Sequence, residues 1–129
     1  MTMRRTIIGC SAALALAASA APALAATLTG PATLHVLQKV TYKATGLPSG
    51  TYALVIERHP RGARCVAYLA SRRSASGTEL FHGSLPDGMQ CVRDGKRFST
   101  GVPAGAYRVH VRARSGTGHA VASRTVRVR

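Results

Sequence analysis

The amino-acid sequence predicts an all-β domain of antiparallel sheets behind a removable leader. Three observations carry this. Apolar and polar residues alternate with a period of two along several segments, clusters of Gly, Pro, Asp and Ser separate those segments, and no stretch after the first 25 residues shows a helical stripe. A chain of 129 residues has room for one domain. Aromatics make up 5% of it and Trp is absent, so the core must be built mainly from Val, Leu, Ile and Ala.

The leader comes first. Residues 1–5 are short and basic, residues 6–21 are apolar and rich in Ala and Leu, Pro22 breaks the run, and Ala23-Leu24-Ala25 offers small residues around a cleavage point. That three-part order is the form of a secretory signal peptide. Cleavage is expected after Ala25, with Ala26 as the alternative. This divides the chain into a signal peptide, residues 1–25, and a secreted domain, residues 26–129, extracellular, periplasmic or associated with the cell envelope. A single-pass anchor is the rival, but the apolar stretch is short and small-residue-rich for a span. Ile7-Ile8-Gly9-Cys10 matches the pattern before a lipid-modified cysteine. Most of the apolar segment would remain behind that cut, so Cys10 reads as a small apolar residue of the leader. No later stretch is long and apolar enough to cross a bilayer.

The strands follow in order. Val40, Tyr42 and Ala44 alternate with Lys39, Thr41 and Lys43; Tyr52, Leu54 and Ile56 alternate with Ala53, Val55 and Glu57. Tyr107, Val109, Val111 and Ala113 alternate with Arg108, His110, Arg112 and Arg114, and Val126 and Val128 alternate with Thr125, Arg127 and Arg129. Each set gives one apolar and one largely polar face, as in antiparallel sheets packed by one side. Weaker strands are expected near residues 34–36, 64–70 and 79–83, for about seven in all. Turns are expected at residues 46–50, 60–62, 86–88, 94–95 and 115–118, where Gly and Pro cluster. The segment Leu47-Pro48-Ser49-Gly50-Thr51 has a superficial likeness to a cell-wall sorting signal. Its order is wrong and no hydrophobic tail follows, so it reads as a turn.

One pattern occurs twice. Gly46-Leu-Pro-Ser-Gly-Thr-Tyr52-Ala-Leu-Val-Ile56 matches Gly101-Val-Pro-Ala-Gly-Ala-Tyr107-Arg-Val-His-Val111. Pro fixes φ in a turn, Gly can take the positive φ that follows, and Tyr then enters the core with its hydroxyl near the wet edge. The flanks do not match, so one domain uses one device twice. These two eleven-residue segments and the strand spacing resemble those of secreted bacterial immunoglobulin-like and prealbumin-like β-sandwiches. The resemblance implies a single immunoglobulin-like antiparallel β-sandwich of about seven strands with an adhesion, spacer or accessory role. The absent Trp departs from the antibody-type core.

Removing the leader leaves Cys65 and Cys91, which read as one structural disulfide in an exported chain. A zinc or redox pair is the rival, but no Cys-x-x-Cys is present. The bridge would close about 27 residues, worth roughly 3–4 kcal/mol on loop entropy. That is a large share of the stability of a domain this small.

Catalysis is not expected. The mature chain has only Glu57, Glu79, Asp87 and Asp94 as acidic residues, and each Asp precedes Gly as a turn residue does. Glu57 and Glu79 could form a two-carboxylate site, but ion pairing with the many arginines is the stronger expectation. No Gly-x-Ser-x-Gly elbow occurs, and His35, His59, His82, His110 and His119 are scattered without ligand spacing. No metal or cofactor is expected, and His110, on an outward face, is expected to be exposed.

Charge is the remaining functional signal. There are 18 Lys+Arg against 4 Asp+Glu, a formal +14, and loss of Arg4 and Arg5 with the leader leaves +12. Only Lys39, Lys43 and Lys96 are lysines. Arg suits bidentate contact with phosphate and carboxylate, and it also accumulates for codon reasons in GC-rich genomes. Arg108, Arg112 and Arg114 should share one outward face, with Arg127 and Arg129 beside them on the next strand. Such a stripe would attract a polyanion. Candidate partners are an anionic cell-envelope polymer or an acidic protein, and a solvated edge that discourages aggregation is the plainer alternative. Stacked aromatics of nucleic-acid readers are not visible, so sequence-specific nucleic-acid binding is not expected. A domain binding a small ligand, or an inhibitor, through the loops around Cys65 and Cys91 is the alternative function.

Overall fold

Two long, bent strands organise the chain. A computed structural model describes residues 26–113 and 120–129; the expected leader with Cys10, Arg114 and the 115–118 turn lie outside them. In chain order the strands are β1 (Thr27–Thr29), β2 (Thr33–Leu34), β3 (Lys39–Arg58), β4 (Arg64–Ser84), β5 (Met89–Arg93), β6 (Lys96–Thr100), β7 (Gly105–Ala113) and β8 (Ala120–Val128). β3 and β4 pair antiparallel along their length, from Arg58 opposite Cys65 to Lys39 opposite Ser84.

The 46–50 segment, expected to separate two strands, lies inside β3. Its Gly and Pro do not reverse the chain. They break the ladder at two register shifts, between Ala44 and Leu47 and between Leu47 and Gly50, and so bend the strand. The other limb of each bent strand takes different partners. β1 adds to the first half of β3, β7 to its second half, and β5 to the start of β4. The resulting sheet runs β2-β8-β7-β3-β4-β5-β6. It is mixed, because β2 joins β8 in parallel while every other pair is antiparallel. The whole is an all-β, curled half-barrel with a sandwich-like core.

The predicted alternation places the core. Tyr42, Leu54, Ile56, Phe81, Val109, Val111 and Val128 are buried on the inward face. The curl folds β4 back on itself. Leu69, the extra residue where the β3–β4 register slips between Tyr68 and Ala70, turns its carbonyl against Gly83, so closely that a Cβ on Gly83 would overlap it.

Turn chemistry was legible. Asp94 (φ 52) and Gly95 (φ 76) join β5 to β6 in a two-residue hairpin with both central φ values positive. The repeated motif buries both tyrosines as expected, and the structure adds a hydrogen bond in each copy: the Tyr52 hydroxyl donates to the Pro48 carbonyl and that of Tyr107 to the Pro103 carbonyl, both at 2.6 Å. Its glycines differ. The positive φ falls on the first Gly of the first copy, Gly46 (φ 74), and on the second Gly of the second copy, Gly105 (φ 145). Tyr52→Phe is expected to cost about 1 kcal/mol, read by urea unfolding, because it removes one well-placed hydrogen bond, and Tyr107→Phe at least as much, because its hydroxyl also accepts from Arg58.

The cysteine expectation holds. Cys65 and Cys91 are bonded and face each other across the β4–β5 ladder, both buried. The bridge ties neighbouring strands of one sheet, at the point where β5 returns after the whole excursion of β4.

Candidate functional site

The outward face of β3, β7 and β4 carries a polar cluster centred on Glu57. Register places Glu57 opposite Arg108 on β7 and Val66 on β4. Its carboxylate accepts from Arg64 Nε at 2.7 Å and His110 Nε2 at 2.8 Å, and His59 Nε2 lies 2.9 Å from it. Burial alone would raise the Glu57 pKa, but the hydrogen bonds and charges of Arg64 and His110 outweigh it and hold the carboxyl at about 2. Ionised Glu57 therefore fixes the proton of His110 on Nε2, leaving Nδ1 buried without a protein partner.

His110 corrects the expectation of exposure. It does lie on the outward face, yet its exposure is 4%. Its strand is central, with Val55 on one side and Ser123 on the other, so alternation settled which face it occupies and not how deep it sits. Burial pushes its pKa below the ordinary value; Glu57 opposes this, and the Arg112 and Arg108 charges add to it.

The sign of the pH dependence follows. The unfolded chain protonates His110 near 6.5 and Glu57 near 4.5, both above their folded values. Stability is therefore full above about pH 6.5 and falls on acidification, first through the histidine and then as pH drops from 4.5 towards 2. Glu57→Gln is expected to cost about 2 kcal/mol at pH 7 and to flatten the loss below pH 4.5. Urea unfolding at several pH values checks this, and equal profiles for native and variant would refute it.

Beside this cluster the face hollows into a groove of about 1140 Å³ next to the disulfide. Val66, Tyr68 and Val92 supply apolar surface, and Tyr68 (54%) and Val92 (44%) are unusually exposed. Arg64, Arg97, Arg112 and His59 line the same groove, with Asp94 the one carboxylate. Arg97 reaches it because the Asp94-Gly95 hairpin sets Arg97 opposite Val92.

The arginines expected to form one stripe lie along β7 and β8. Arg108 is exposed between Glu57 and Thr125; Arg112 is half-buried between Ala53 and Ala120 and lines the groove. Arg127, opposite Ala106 and so diagonal to Arg108 across the β7–β8 pair, and Arg129, just past β8, are exposed. Arg114 lies outside the described residues. Register therefore interleaves these arginines with Ala and Thr, which relieves the like-charge repulsion that direct pairing would impose. The two expected ion pairs are present, Glu57 with Arg64 and Glu79 with Arg73 at 3.4 Å.

Sequence reasoning did not single out Arg64 or Arg97. The signal for Arg97 was available in the Asp-Gly turn, which implies its cross-strand partner; the signal for Arg64 needed the β3–β4 register. Among the described residues no group of three or more His, Cys, Asp or Glu is placed to hold a metal ion, and no helix is long and apolar enough to cross a membrane. Compared with known protein families, with curated proteins and with solved structures, the chain matches none.

Proposed function

We propose that the chain is exported and that residues 26–129 form a non-catalytic, immunoglobulin-like binding module for an anionic polymer of the cell envelope. The groove beside Cys65–Cys91 carries this reading: exposed apolar surface flanked by Arg64, Arg97 and Arg112 suits a ligand with both an apolar backbone and acidic groups. The leader pattern and the disulfide support export. The arginine-rich surface supports electrostatic capture.

A small anionic ligand, or an inhibitor-type contact, is the second reading. It is favoured by the concavity of the groove and by the presence of Gly62, Ala63 and Cys91 in its wall. Both readings share the groove and differ in ligand size.

The test is elution of the oxidised domain from an anionic polymer column across a salt gradient. Two variants with equal charge loss are compared, Arg97→Ser/Arg112→Ser in the groove and Arg108→Ser/Arg127→Ser on the open face. The groove variant is expected to elute earlier than the open-face variant, with the salt dependence reduced by about two ions. Equal elution of the two variants makes the charge diffuse and removes the groove from the function.

A further inference from the structure

A second cationic cavity opens at the core-facing mouth of the sheet, on the other side of the β4–β5 pair from the groove. Arg58 at the end of β3, Arg93 at the end of β5 and Arg61 in the Pro60–Gly62 turn line one space of about 280 Å³. Phe98 and Pro103 complete its walls, and no carboxylate is among its lining residues.

Two of the guanidinium groups are held in place. Arg58 lies 5.2 Å over the Tyr107 ring and donates from Nη1 to the Tyr107 hydroxyl at 3.3 Å. That hydroxyl in turn donates to Pro103. Arg93 lies 5.1 Å over the Phe98 ring and donates from Nη2 to the Pro60 carbonyl at 3.4 Å. The third, Arg61, occupies a left-handed backbone conformation (φ 49, ψ 47) that Gly or Asn would adopt at lower cost. A non-glycine residue in that conformation carries a backbone cost that an interaction of its side chain would offset.

Three cations around one small space repel each other, and a multivalent oxyanion relieves that repulsion. Planar guanidinium forks fit tetrahedral oxyanions through paired hydrogen bonds. The space is too small for a large ligand and suits one charged group. We infer that Arg58, Arg61 and Arg93 form an oxyanion subsite for a phosphate or sulfate group. The site is separate from the groove and does not rest on it.

The test is an NMR titration of the oxidised domain with inorganic phosphate, sulfate and acetate at constant ionic strength. Phosphate and sulfate are expected to give saturable shifts at residues 58–65 and 93–98, and acetate is not. Arg61→Asn/Arg93→Gln is expected to weaken phosphate binding about tenfold or more, and the groove variant Arg97→Ser/Arg112→Ser to leave it within about twofold. Asn keeps the left-handed turn, and Arg58 stays packed on Tyr107. Should the double variant lose its folded spectrum, Arg61→Asn alone, in an exposed turn, must still weaken binding. Shifts that do not saturate, acetate binding as well as phosphate, or unaltered binding in the variants overturns the proposal. Tripolyphosphate binding more tightly than phosphate assigns the group to a chain, equal affinity assigns it to the free ion, and both support the subsite.

Discussion

Gly83→Ala is expected to destabilise the domain by about 3 kcal/mol or more, a large share of the stability of a domain of this size. The cause is steric. A methyl group at Gly83 would overlap the carbonyl of Leu69, and the obstacle is backbone rather than the movable end of a side chain. Neither partner can yield cheaply, because Leu69 sits at a register slip in the centre of the sheet and Gly83 pairs with Val40 on β3. Gly62→Ala and Gly77→Ala provide the contrast. Both glycines have positive φ, 80 and 69, but open space where Cβ would lie. They are expected to cost only about 1–2 kcal/mol, the penalty of a left-handed backbone. Urea unfolding of the three variants separates the effects. A Gly83→Ala variant as stable as the other two would mean that Gly83 and the Leu69 carbonyl do not touch in solution.

Cys65→Ala/Cys91→Ala is expected to cost about 2–5 kcal/mol, and its effect should be uneven along the chain. β5 meets β4 over only three register pairs, Arg64 with Val92, Cys65 with Cys91 and Val66 with Gln90, and among the described residues β6 pairs only with β5. The β5–β6 hairpin therefore depends on the disulfide more than any other element does. That hairpin carries Val92 and Arg97 of the groove and Arg93 and Phe98 of the smaller cavity. Hydrogen exchange of the reduced or substituted domain should show residues 89–100 losing protection before β3, β7 and β8. Polymer retention and phosphate binding should fall together in the same sample. Uniform loss of protection would show that the bridge supports the whole core rather than the hairpin.

Several local decisions were legible in the amino-acid sequence. The period-two segments became strands with the predicted inward faces, Asp94-Gly95 became a turn, both repeated tyrosines entered the core, and Cys65 met Cys91. Each depends on residues within one turn or one strand, or on there being only two cysteines left to pair. What the tertiary structure decided is non-local. Gly46 to Gly50 carries the composition of a chain reversal, yet pairing with β4 on one edge and with β1 and β7 on the other stretches it into one bent strand. His110 has the alternation of an exposed residue, yet its central strand and Glu57, 53 positions away in the chain, make it a buried partner. The arginines were countable from the start; their grouping into a groove and a mouth, and the interleaving of the others with Ala and Thr, follow from strand register. Alternation assigns a side chain to a face of its own strand, and only the pairing of distant strands determines how deep it lies and which charges stand beside it.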